Sequence, residues 1–389
     1  MINSSVFLNE CKENGYTLFT GTPCSYLKPF INYVIDDIDL EFVETTNEGG
    51  AVALACGAWL GGRKSIVMFQ NSGLGNAVNP LTSLSYTMKI SFIGIVTLRG
   101  EPNGASDEPQ HELMGEITTE LLDLMKIPWA FFPTEAEEVK EAFSRADKIC
   151  EEQGRAFFFV MKKGSVDSYE LKSTHVDRLI DPHRTQINRL LNREGMITRT
   201  EAIKSLKGKL SKEDMFIATT GKTGRELFEI EDSPNNLYMV GSMGCAVAIA
   251  LGLSRTEFKE KIVVIDGDGA ILMKLGNMAL AGQMGPINLI HILLDNGVHD
   301  STGGQRTFSE SIDFCGIARS CGYEIIYEVD SIESFEVALE NILENGGLSF
   351  VRFVIKAGSP KDLGRPTVTP EQVAMRMKEY IREINERSN

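Results

Sequence analysis

The chain has 389 residues, 42% hydrophobic and 24% charged, and its 54 acidic against 39 basic side chains give a formal net charge of −15 at pH 7. That length predicts two domains, each able to bury its own core, and the acidic balance speaks against a dedicated nucleic-acid or anionic-membrane binder, which needs a positive field. No apolar run reaches the ~20 residues of a spanning helix, and the opening MINSSVFLNECKENG lacks a secretory pattern. In chain order, runs at 66–69, 91–97 and 156–161 are apolar, β-branched or aromatic and bounded by Gly, Asn or Lys, so they read as strands buried on both faces of a parallel sheet. A helix over 134–154 is predicted to open on a capping box of Thr134 with Glu137 and to stop at Gly154. The polar stretch 172–199 breaks the apolar periodicity and reads as a linker between domains 1–171 and 200–389. Beyond it, strands are predicted at 261–265 and 291–294. A helix over 330–346 repeats the capping pattern with Asp330 and Glu333, and a charged amphipathic helix over 371–386 reads as packing or oligomer surface.

The chain also resembles itself. AVALACG at 51–57 returns as AVAIALG at 246–252, IVMFQNSG at 66–73 as IVVIDGDG at 262–269, ISFIGIV at 90–96 as INLIHIL at 287–293, and FVMKKGS at 159–165 as FVIKAGS at 353–359. The start positions differ by 195, 196, 197 and 194 residues, four matches in one order. One such match would carry nothing. Four predict an α/β protein made of two similar open parallel-sheet domains with no middle domain. Seven cysteines without any CxxC spacing fit thiols in a reducing cytoplasm.

Open α/β sheets bind ligands beyond the carboxyl ends of their strands. Strand 261–265 runs into Gly267-Asp268-Gly269-Ala270, where glycines let the backbone approach a phosphate and the carboxylate can hold a hard cation. After 26 intervening residues, the next strand ends at Asp295-Asn296. Neighbouring strand ends thus present Asp268 and Asn296 side by side, a pair suited to Mg2+ completed by diphosphate oxygens. Glu48, ahead of an Ala- and Gly-rich helix, reads either as a helix N-terminal charge or, if buried against a ligand, as a catalytic carboxylate.

GDG followed one strand later by Asn resembles the signature of the thiamin-diphosphate enzymes, whose two similar domains would explain the duplication. GTPCSYLKPF (21–30), QNSGLGNAVNPLTSL (70–84), RGEP with DEPQH (99–111), TTGKTGREL (219–227) and HDSTGGQ (299–305) resemble the branch that decarboxylates phosphonopyruvate, with the sulfopyruvate decarboxylases sharing the layout. The resemblance implies a carboxy-lyase that takes a small anionic 2-oxoacid, in phosphonate biosynthesis. It implies Asp268, the side chain of Asn296 and the carbonyl of Val298 as Mg2+ ligands. Thiamin diphosphate would be lined by Gly21, Glu48, Gly221, Thr223, Gly241, Met243, Gly267, Asp268, Gly269, Ala270 and Asn296. Met243 would be the apolar wedge that bends the cofactor, and Glu48 would exchange a proton with its pyrimidine ring. The family often has Asn-Asn where this chain has Asp295-Asn296. His111 and His299 are expected to handle substrate protons, and Asn71, Arg99, His111, His299 and Arg306 to bind the substrate. A homo-oligomer with active sites between chains is expected. A non-catalytic partner subunit should have lost Glu48 or the GDG–Asn pair, and both are present.

Three other patterns mislead. Gly57-x4-Gly62-Arg63-Lys64-Ser65 nearly spells a P-loop but ends a helix instead of opening one. Gly241-x-x-Gly244 lacks the third glycine of a dinucleotide fingerprint. His299-Asp300-Ser301 has the residue types of a hydrolytic triad, but adjacent loop residues cannot form its relay.

Overall fold

The computed structural model describes residues 1–173, 178–181, 183, 185–192 and 196–388. The chain divides into two compact units, 1–176 and 177–389. Unit one is built on β1 (Tyr16–Gly21), β2 (Glu41–Glu44), β3 (Lys64–Gln70), β4 (Ile93–Thr97), β5 (Trp129–Phe131) and β6 (Phe157–Met161), all parallel, in the order β2-β1-β3-β4-β6-β5. Central β4 and β6 are buried along their whole length, because helices cover both faces. One face packs an aromatic cluster of Phe7, Phe30, Phe132, Phe143 and Phe159, with ring centroids of Phe7 and Phe132 4.9 Å apart.

Unit two repeats the plan. Its strands are β7 (Ile187–Leu190), β8 (Met215–Ala218), β9 (Asn236–Tyr238), β10 (Ile262–Gly267), β11 (Leu289–Asp295), the antiparallel hairpin β12 (Val298–His299) and β13 (Gln305–Arg306), β14 (Ile325–Val329) and β15 (Ser349–Val354). The main sheet is parallel in the order β7-β14-β15-β11-β10-β8-β9. Read from β9, it is the order of unit one with each strand replaced by its counterpart and β7 added at the far edge. The strand order therefore reverses between β1 and β3 in one unit and between β8 and β10 in the other, where such sheets open a crevice for ligands.

Local expectations fail where side chains chose other partners. The helix read over 134–154 runs Ala136–Gln153 with Glu135 at its N-cap and no side-chain cap, so Thr134 and Glu137 form no box; Gly154 stops it at φ 56°. The helix read over 330–346 is Ile332–Asn345, boxed by Ser331 and Ser334 rather than by Asp330 and Glu333. Asp330 instead accepts the backbone N–H of Asn192 at 2.8 Å. The stretch read as a linker is not wholly one, since 187–190 add β7 beside β14. Its positions 174–177, 182, 184 and 193–195 lie outside the described residues. The last helix, Pro370–Ser388, buries Val373, Ala374, Met377, Ile381 and Ile384 and packs on β9. All seven cysteines are free of disulfides, and no helix among the described residues is long and apolar enough to cross a membrane.

Candidate active site

In unit two the predicted residues gather at the β8/β10 switch point. Asp268 opens the helix Asp268–Met273 directly after β10 and is only 3% exposed. The hydroxyl of Thr307 donates to its carboxylate. Burial pushes the Asp268 pKa above the usual range, and the nearby Asp295 charge pushes the same way. On the next strand end, the Asn296 amide Nδ2 donates to Asp300 Oδ2 at 2.7 Å, while its Oδ1 accepts the Val298 N–H at 3.2 Å. The glycines make room: a Cβ on Gly269 would lie 2.3 Å from the His299 ring, and one on Gly221 (φ 98°) 2.8 Å from Ser301 Oγ. Around Gly267 the space is open.

The turn carrying Gly241 and Met243 joins this group. Gly244 backs onto the carbonyl of Ala270, whose oxygen a Cβ would meet at 2.8 Å, and Asn277 donates to the Gly244 carbonyl at 3.0 Å. Between them Ser242 is buried with φ 53°, a left-handed conformation that a non-glycine residue adopts at a cost of about 1 kcal/mol or more. The turn thus holds its shape against local preference. Thr223 is buried in the helix Lys222–Ile230.

Among the described residues no three His, Cys, Asp or Glu side chains cluster as a metal site. The donor set is instead one carboxylate, one amide and a carbonyl, an all-oxygen set of the kind Mg2+ uses with diphosphate. Asp268 is a buried carboxylate with no basic partner among the described residues, so a cation fits it.

Several pairings in this site carried no flag in the sequence. Asp300 accepts from Arg199 Nη2 at 2.7 Å as well as from Asn296, so it serves no hydrolytic triad. Arg199 in turn donates to Glu226 at 2.8 Å, and Thr200 to the other Glu226 oxygen at 2.7 Å. This string fixes which way the Asn296 amide faces. Arg199 sits at the end of the stretch read as linker, which is why it drew no notice. Asp295 is matched by Arg352 at 2.6 Å, which also reaches Glu328 at 2.8 Å.

In unit one, Glu48 is the first residue of the helix Glu48–Leu60. Thr22 donates to its Oε1 at 3.1 Å and Asn76 to its Oε2 at 2.8 Å; a Cβ on Gly73 would strike it at 2.3 Å. Gly21 ends β1 so close to β3 that a Cβ would sit 1.7 Å from the Met68 carbonyl oxygen. The remaining candidates form a second group. Asn71 is wholly buried, and its amide donates to the Arg99 carbonyl at 2.9 Å and to Thr118 at 3.0 Å. The Arg99 guanidinium lies over the Tyr26 ring and grips Asp107 through a bidentate pair, which holds the Asp107 carboxyl well below its usual range. His111 is buried beside Gly100, with Nδ1 lacking a hydrogen-bond partner. Arg306 stands apart: it is exposed on β13 and pairs with Glu310.

Residues 220–353 match the domain family described as thiamine pyrophosphate enzyme, C-terminal TPP binding domain. Over 374 residues the chain is 41% identical to a phosphonopyruvate decarboxylase of Streptomyces viridochromogenes, covering 94% of this chain and 92% of that one. A phosphonopyruvate decarboxylase of Streptomyces hygroscopicus is 38% identical over 98% of this chain and 95% of its own. A sulfopyruvate decarboxylase of Methanosarcina acetivorans is 28% identical over 95% of each. In fold, the chain is similar to the crystal structure of benzoylformate decarboxylase from Polynucleobacter necessarius, with a TM-score of 0.71 at 13% identity, covering 94% of this chain and 100% of that one.

Replacing Arg199 by Met should cost about 3–5 kcal/mol of stability, because Glu226 and Asp300 would keep their burial and lose their cation; denaturant unfolding followed by circular dichroism measures it, and a loss under 1 kcal/mol would contradict the role given to this string. The two phosphonopyruvate decarboxylases cover 94% and 98% of the chain, and the chain belongs to the phosphonopyruvate decarboxylase family of thiamin diphosphate enzymes.

Proposed function

We propose that this chain catalyses the non-oxidative decarboxylation of 3-phosphonopyruvate to phosphonoacetaldehyde and CO2, with thiamin diphosphate and Mg2+, in the cytoplasm as a step of phosphonate biosynthesis. One observation carries the reading. A chain that aligns with phosphonopyruvate decarboxylases over nearly its whole length keeps both an oriented Glu48 and the Asp268–Asn296 pair. Thiamin diphosphate, when bound, supplies a nucleophilic carbon and an electron sink for the departing carboxylate.

The residues of the chain do the rest. Asp268, the Asn296 side chain and the Val298 carbonyl are assigned to Mg2+, and the glycines at 221, 241, 267 and 269, with Thr223, Met243 and Ala270, line the cofactor. Gly21 does so from unit one. Glu48, held by Thr22 and Asn76, would stand against the pyrimidine ring and hold or release a proton at its carboxylate. His111 and His299 handle the protons of the substrate. Asn71 acts by holding the Arg99 backbone and not through direct contact. A homo-oligomer, at least a dimer with active sites between chains, completes the reading, and sedimentation velocity reports it.

Offered phosphonopyruvate, sulfopyruvate and pyruvate in parallel, the enzyme should release CO2 and aldehyde fastest from phosphonopyruvate. A preference for sulfopyruvate, favoured by the full-length similarity to that decarboxylase, would keep the cofactor and replace the substrate. Glu48→Gln should lower kcat by about a hundredfold or more while thiamin diphosphate still binds in an equilibrium titration; near-normal turnover would remove Glu48 from the mechanism. For Asp268→Ala, the Mg2+-dependent part of that titration should vanish, and an unchanged curve would place the metal elsewhere.

A further inference from the structure

Three arginines in unit two, Arg225, Arg319 and Arg365, have no acidic partner among the described residues, although this chain carries 15 more carboxylates than basic groups. Arg99, Arg199, Arg352 and Arg376 are all matched by carboxylates. Arg225 and Arg365 are not, and both line the same cavity of about 420 Å3. Its other walls are Thr220, Gly221 and Gly224, then Tyr238, Met239 and Val240 at the end of β9, and the segment leading into the last helix. No Asp or Glu lines it. An arginine pair left unmatched around a hollow, in a protein with acid to spare, is arranged for an anion brought from outside.

The backbone adds to the positive character. The helix Lys222–Ile230 begins beside this cavity, whose walls include Gly221, Gly224 and Arg225, with no side-chain cap and no acidic residue in its first turn, so its dipole adds partial positive charge at that end. Next to the wall residue Thr220, Thr219 is buried with a hydroxyl that has no hydrogen-bond partner among the described residues.

We propose that Arg225 and Arg365 form the subsite that takes the phosphonate group of the substrate, an inference that rests on the proposed activity. Paired guanidinium forks match a tetrahedral dianion. The arginines that the sequence offered for this task are engaged, Arg99 with Asp107 and Arg306 with Glu310. The cavity also adjoins the candidate cofactor site without containing its metal ligands: Gly221 lines it while abutting Ser301, and Val240 precedes Gly241. Asp268, Asn296 and Val298 are not among its walls, which argues for substrate rather than cofactor phosphate.

The experiment compares wild type with Arg225→Gln, Arg365→Gln, the double variant and Arg225→Lys. It measures the KM for phosphonopyruvate, the binding of methylphosphonate to the cofactor-loaded protein by calorimetry, and the affinity for thiamin diphosphate with Mg2+. Each Gln variant should raise KM and weaken methylphosphonate binding by roughly tenfold or more, and Lys should restore part of the loss. Affinity for thiamin diphosphate should stay within about twofold. Unchanged methylphosphonate binding in the double variant would overturn the proposal. So would an equal fall in thiamin diphosphate affinity, which would give the cavity to the cofactor. If wild type turns over no phosphonopyruvate, the proposed activity fails on its own, and methylphosphonate binding still decides the anion subsite.

Discussion

A carboxylate taken out of water must be met by a cation or stay protonated. Of the carboxylates near the strand ends of unit two, Asp295 is met by Arg352, and Asp300 and Glu226 by Arg199. Among the described residues Asp268 has only the Thr307 hydroxyl and the N–H groups of its own turn, and burial raises its pKa. The surrounding structure keeps it that way. Arg199 and Arg352 are each held by two carboxylates already, so neither is available to Asp268. The reversal of strand order between β8 and β10 opens a crevice at this point, and the Asn296 amide is tied to Asp300 from behind.

The duplicated plan shows how one scaffold was put to two uses. Gly73 and Gly269 occupy corresponding positions in the repeat, just past the ends of β3 and β10. Each lacks the Cβ that would strike a candidate catalytic side chain, Glu48 in the first case and His299 in the second. Between the same landmarks, Ser72 stands where the second unit has Asp268. The backbone solution is shared, and the chemistry differs by what the following residues carry.

The strands were legible because parallel strands covered on both faces must be apolar at every position, as β4 and β6 are. The placement of Asp268 and Asn296 side by side was legible because it depends on one motif at the ends of adjacent strands. Capping was not: Thr134 has the right spacing from Glu137, but the helix starts two residues later, and hydroxyls at Ser331 and Ser334 displaced the acids expected there. The polarity of 172–199 concealed both β7, a short strand with exposed positions, and Arg199, whose charge is hidden by partners 27 and 101 residues away. Charge pairing across such separations leaves no local periodicity. For the same reason Arg99 looked available to substrate, although Asp107 holds it.

The triangle of Asp295, Arg352 and Glu328 has an evolutionary consequence. It ties the ends of β11, β15 and β14. Loss of the Asp295 charge would leave Arg352 with half its partners, and loss of Arg352 alone would strand two acids. Positions 295 and 352 are therefore expected to drift as a pair, with each tolerated exchange at one conditional on the other. In an alignment of descendants of this chain, such a constraint would be read as covariation between two strand ends that never touch the substrate.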